Sequence, residues 1–196
     1  MPTVVEKKLA FDFPSNWAVI KYDHQADPVT NEPASFYRRT IEKGGVQNVQ
    51  GVDIICRLPG VPEQLQFIEV KDDRRRTLAV GPRHAELFIS ILGKTAGTLV
   101  GLLLAERLNE PSLSFCACLS QRPDIEVILF LVEPPPVPIL EGDAKNALRR
   151  LNRQDYITAL DQRLTAKLGE WGLDFRLYNL TDRPAPAPDW QVRDLA

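Results

Sequence analysis

Apolar positions along the chain alternate in some stretches and recur every three to four residues in others, marking strands and helices in turn. Two short alternating runs, Val52–Leu58 and Leu65–Lys71, flank Pro59-Gly60-Val61-Pro62, a segment that breaks a ladder and favours reversal. Together they predict a pair of strands joined by a turn. Upstream, residues 1–15 read as a lead-in, Trp17–Tyr22 as strand-forming, and Asp23–Pro33 as a turn region. Ser35–Lys43 suits one or two helical turns ended by Gly44-Gly45. The strongest helical period runs from Pro82 to Leu108, through Phe88, Ile91, Leu92, Leu99, Leu102 and Leu103. Gly93, Gly97 and Gly101 form a smooth stripe on it, expected to lie close against a sheet. Glu86 and Lys94 are expected to interrupt its apolar run, leaving no span of membrane length.

Pro111–Ser120 alternates like a strand but also suits a short helix beginning at Pro111. Asp124–Glu133 reads as a buried strand stopped by prolines, and Asp143–Trp171 as a second amphipathic helix stopped by Gly172. Leu173–Leu180 closes the series as a strand. The expected architecture is therefore α/β (α+β), a central mixed sheet flanked by helices, in one domain over residues 1–180. Residues 181–196 are Pro/Ala-rich and read as an extended tail. Trp190 is out of place in such a tail and is expected to dock on the body or on a partner.

Side chains two apart on a strand share a face, so Glu69 and Lys71 project together while Ile68 and Val70 point the other way. Asp53, at the start of the partner strand, reaches the same end of the pair. It sits in a run of Val, Ile and Cys, where a carboxylate is costly unless paired or metal-bound. Two carboxylates can hold a hard cation, and an ammonium beside them can attend an attacking water or a phosphate. A plain Glu-x-Lys ion pair on an exposed sheet face is the commoner use of such spacing, and is worth little.

Asp53, followed after a gap by Glu69-Val70-Lys71 with the flanks VDIIC and FIEVKDDRRR, resembles the signature of the PD-(D/E)XK nuclease superfamily. Val52 stands where that signature often has proline. The resemblance implies a restriction-endonuclease-like core of helix, three antiparallel strands, helix and strand. It also implies Asp53, Glu69 and Lys71 as catalytic residues, with Mg²⁺ or Mn²⁺ held by Asp53, Glu69 and the Val70 carbonyl. Many members add a third acid from an upstream helix; Asp23, Glu32 and Glu42 are the candidates, and Glu42 has the expected placement. The function implied is metal-dependent hydrolysis of phosphodiesters, expected in DNA, in restriction, defence or repair. The alternative is an inactive subunit that keeps the fold and binds nucleic acid within a larger complex.

Charge adds detail to this picture. A net charge of −2 excludes a globally basic nucleic-acid binder, so any such binding needs a local patch. Arg74-Arg75-Arg76 is the densest cationic cluster and directly follows the proposed site; arginine forks suit phosphate. His84 and Lys94, on the helix expected to border the cleft, are further candidates for contacting nucleic acid. Three cysteines and an N-terminus without a long apolar core lead to a cytoplasmic, non-membrane expectation, with the thiols as buried small hydrophobes. Gly-x-Ser-x-Gly, P-loop and His-Glu-x-x-His patterns do not occur, which disfavours other hydrolase classes. A homodimer or a larger defence or repair complex is expected, with contact through the Asp143–Trp171 helix or Trp190.

Overall fold

The computed structural model describes residues 1–28, 33–43, 49–60, 64–74, 83–133, 144–180 and 187–195. Strands β1 (Thr3–Glu6), β2 (Leu9–Asp12), β3 (Ala18–Lys21), β4 (Ile54–Leu58) and β5 (Gln64–Asp72) precede helix α1 (Arg83–Leu108). Strand β6 (Asp124–Val132), helix α2 (Ala144–Gly169), β7 (Asp174–Tyr178) and β8 (Gln191–Asp194) complete the order.

Five strands form a mixed sheet in the order β3-β4-β5-β6-β7. β3, β4 and β5 run antiparallel, whereas β5, β6 and β7 run parallel and are joined through the two long helices. Parallel neighbours require such a crossover, which is why each helix follows a strand of this half. Alternation sorts the side chains of β5 between two cores. Leu65 and Phe67 pack with Leu102, Ala105, Leu160 and Leu164 of the helices. Ile68 and Val70 pack on the opposite face with Phe11, Phe13, Phe130 and Trp190. The molecule is thus layered as helices, five-stranded sheet and a small second sheet.

That second sheet, β1-β2-β8, departs from the expected organisation. The first residues are not a lead-in: β1 and β2 form a hairpin across Lys7-Lys8, with Lys7 at a left-handed φ of 55°. β8 pairs with β2, from Leu9↔Asp194 to Asp12↔Gln191, so part of the expected tail is a strand of this sheet. Trp190 docks on the body, fully buried among Phe11, Phe13, Phe130 and Tyr178, and its indole N–H donates to Gln66 Oε1 at 3.1 Å. Buried this way, Trp190 is no contact surface for a second chain. Arg193 adds an ion pair to Asp12 at 2.5 Å and lowers that carboxyl to about 2, chiefly through their hydrogen bond.

Other expectations shift in detail. Residues 37–42 make the expected helical turn, of the wide π type, and the open choice at residues 111–120 falls to the short helix beginning at Pro111, as two 3₁₀ turns (Pro111–Leu113 and Leu119–Gln121). All three cysteines are free and buried, and burial pushes the Cys116 thiol up to about 12. Two glycines of the α1 stripe are sterically required. A Cβ at Gly97 would sit on the Gln50 carbonyl oxygen, and one at Gly101 on the Tyr22 hydroxyl; Gly93 faces open space. The expectation about membrane length also needs correction. Ala85–Leu108, 24 residues, is long and apolar enough to cross a membrane by length and composition, although 33% of its apolar stretch is buried inside the protein.

Candidate functional site

Asp53 stands one residue before β4. Pairing between β4 and β5 ends at Ile54↔Ile68, so the β5 amide of Val70 has passed the end of its partner strand. Asp53 Oδ2 accepts from that amide at 2.6 Å, continuing the ladder with a side chain. The Asp53 carbonyl accepts from the Tyr22 amide at 2.8 Å, fixing the residue from the β3 side. A short alternating segment that leaves its ladder just before an acid is what turns this carboxylate inward.

Glu69 points from β5 toward α1 and is 1% exposed, while Asp53 is 5% exposed. Lys71 Nζ lies 2.8 Å from Glu69 Oε1. Lys94 Nζ, from α1, lies 2.8 Å from both Glu69 oxygens and 3.5 Å from Asp53 Oδ1. One ammonium therefore touches both carboxylates, and it is Lys94, not Lys71. The hydrogen bond from Lys94 is directed at Oε2, and Oε1 is in charge contact with both lysines. Burial pushes the Glu69 carboxyl above its usual range and the Asp53 charge adds to this, while the two lysines act against it. Burial alone would depress Lys94, but Glu69 and Asp53 more than offset that, so its pKa is raised and it stays charged.

Thr98 holds this arrangement in register. Its hydroxyl donates to the Lys94 carbonyl at 2.8 Å and accepts from the Val52 amide at 3.0 Å. The i, i+4 spacing puts Lys94 and Thr98 on one helix face, the only sequence signal that pointed to this role. Close approach of α1 to the Val49–Val52 segment depends on Gly97 between them.

The third acid near the pair is Asp23, not Glu42. Glu42 is tied to Arg38 at 2.6 Å and is half exposed; Glu32 lies outside the described residues. Asp23 follows β3, and its Oδ1 is buried with no hydrogen-bond partner among the described residues. Burial raises its pKa to about 6, with the Asp53 charge as the next cause and Lys94 opposing. The Val70 carbonyl, expected as a metal ligand, accepts from Lys7 Nζ at 3.2 Å. Arg74 is engaged within the fold: its guanidinium forks onto Asp72 at 2.9 and 2.8 Å and pairs with Asp194 of β8. Arg75, Arg76 and the side chain of His84 lie outside the described residues. The structure brings Asp53, Glu69 and Lys71 together, places Asp23 from among the three candidate acids beside them, adds Lys7 and Thr98, which the sequence did not single out, and gives Lys94 a different job.

Among the described residues, no three His, Cys, Asp or Glu side chains are grouped to hold a metal. The donor set is Asp53 Oδ1, 3.5 Å from Lys94, and Glu69 Oε1, 2.8 Å from both Lys71 and Lys94. Two hard, buried anionic oxygens fit one Mg²⁺ or Mn²⁺ ion completed by water, provided the Lys94 and Lys71 ammoniums give way at Glu69 Oε1. No protein-family model, no curated protein and no solved structure matches this chain.

Proposed function

We propose that the chain is a metal-dependent phosphodiesterase of the PD-(D/E)XK type acting on nucleic acid, with DNA the expected substrate. The observation that carries this reading is the convergence of Asp53, Glu69, Lys71 and Lys94 at the end of β5, two buried carboxylates sharing one ammonium with a second beside them. The order β3-β4-β5 antiparallel, then α1, then β6, supports a restriction-endonuclease-like core. One difference is that the short helical turn at residues 37–42 falls between β3 and β4 and does not precede the strands.

In this reading a divalent ion supplies Lewis acidity at the phosphate and an activated water. Asp53 and Glu69 would hold it, with the Val70 amide keeping Asp53 oriented. Lys71, more exposed than Lys94, neutralises the developing charge on the phosphate oxygens and positions the attacking water. Its 2.8 Å contact with Glu69 places it as an electrostatic group at the phosphate.

A second reading is a binding subunit of the same fold without activity, and the Lys94 bridge favours it, since it balances both carboxylates without a metal. Calorimetric titration of Mn²⁺, with cleavage assays on plasmid, linear duplex, single-stranded DNA and RNA, separates the two. Metal binding and cleavage lost in Glu69→Ala, with cleavage but not metal binding lost in Lys71→Ala, is the expected result. Wild-type protein that takes up no Mn²⁺ and cuts nothing overturns the enzymatic reading.

A further inference from the structure

The outward face of α1 is apolar along its whole length and none of the described residues covers it. Ile89 is 65% exposed, Val100 51% and Leu104 38%, and nothing lies within 4 Å of a Cβ built on Gly93. Glu86 and Arg107, both exposed, stand at opposite ends of this face, and neither has an ion pair among the described residues. From Glu86 to Leu108 the stripe is about 33 Å long at ~1.5 Å per residue.

We propose that this face is the interface of a two-fold symmetric dimer, two α1 helices packed antiparallel. A two-fold interface must be self-complementary: each residue meets the counterpart its own position dictates. With the axis passing between Ala96 and Gly97, Glu86 falls level with Arg107 of the second copy, Ile89 with its Leu104, and Gly93 with its Val100. Opposite charges meet, large apolar residues meet, and the exposed, β-branched Val100 meets the position with no side chain. Every one of these positions is exposed in the single chain. The same axis therefore matches charge, size and polarity at once, and a second copy is the occupant that satisfies all three.

A lipid surface satisfies fewer of them. Helices that lie in a membrane interface carry lysine and arginine on their polar side, whereas this face ends in one acid and one base. Lys94, midway along the helix, is committed to Glu69 and Asp53. The dimer does not depend on the phosphodiesterase reading and stands or falls separately.

Sedimentation velocity over a concentration series tests it on the full chain. Wild type should be a dimer, and Val100→Glu a monomer with unchanged circular dichroism. Glu86→Arg and Arg107→Glu should each raise the dimer dissociation constant about 10-fold by turning two attractions into repulsions. Combining them should restore the wild-type value, an outcome that a merely local effect on the helix does not give. A wild-type chain that stays monomeric throughout, or a double variant no better than the singles, overturns the proposal. So does a monomer that pellets with phosphatidylcholine–phosphatidylglycerol vesicles through Val100, which would assign the face to a membrane.

Discussion

Removing the Lys94 ammonium exposes the electrostatic logic of the site. Lys94→Met keeps the length and apolar stem of the side chain but leaves Glu69 and Asp53 buried with Lys71 as the cation in contact among the described residues. Breaking a buried ion pair by deleting one partner costs about 3–5 kcal/mol. Lys71 still contacts Glu69, so the expected loss is near the lower end, about 3 kcal/mol at pH 8, equivalent to a melting shift of about 6–12 °C for a chain of this size. The cost should depend on pH in a defined direction. Glu69 is already displaced upward by burial and by Asp53, and loss of Lys94 removes a positive charge that opposed this. With its folded pKa above its unfolded value, the native state of the variant binds the extra proton, so stability is greatest at low pH and falls as pH rises through the folded pKa. Divalent metal should reverse the loss, because it replaces the missing positive charge: at 100 times its dissociation constant, Mn²⁺ returns about 2.7 kcal/mol. Urea denaturation at pH 5 and pH 8, with and without Mn²⁺, reads all three effects. A variant within about 0.5 kcal/mol of wild type at pH 8 refutes the claim that Lys94 holds the two carboxylates together. Destabilisation that Mn²⁺ leaves untouched refutes the metal fit.

Asp23 gives a second pH signature. Its folded pKa of about 6 lies above its ordinary value of 3.8, so the native state holds a proton that the unfolded chain has released, and stability falls between about pH 4 and pH 6. Asp23→Asn should flatten that segment of the stability profile and gain about 1–3 kcal/mol above pH 6, after allowance for partial exposure; an unchanged slope in denaturation midpoints shows that Asp23 is not the group responsible. Trp190→Ala should cost about 3–5 kcal/mol, since it empties the centre of the core between the two sheets and leaves Gln66 Oε1 without its indole donor. Equilibrium denaturation measures it, and a loss below about 1 kcal/mol means that the C-terminal segment does not hold the second sheet.

Local patterning was sufficient for much of this molecule because its causes are local. The 3.6-residue period of α1 and α2, the continuous apolar run of β6, and the alternation placing Glu69 and Lys71 on one face of β5 follow from neighbours a few residues apart. The pairing of β4 with β5 across a short turn is of the same kind. Asp53, Glu69 and Lys71 could be singled out because a carboxylate among apolar strand residues is energetically conspicuous wherever it occurs. What the tertiary structure alone decided involves partners distant in the chain. β2 is stabilised as a strand by β8, and Trp190 is buried because Phe11, Phe13 and Phe130 converge on it; none of those partners is visible from a local window. Glu42 had the right local setting for a third acid, but Arg38 one turn away claims it, while Asp23 is held near Asp53 by the β3–β4 register. Lys94 looked like a surface cation until α1 packed through Gly97 and Gly101 closely enough to drive its ammonium between two buried carboxylates. A charge on a helix has no chemical role until packing selects its neighbours, and that selection is made by contacts spread over the whole chain.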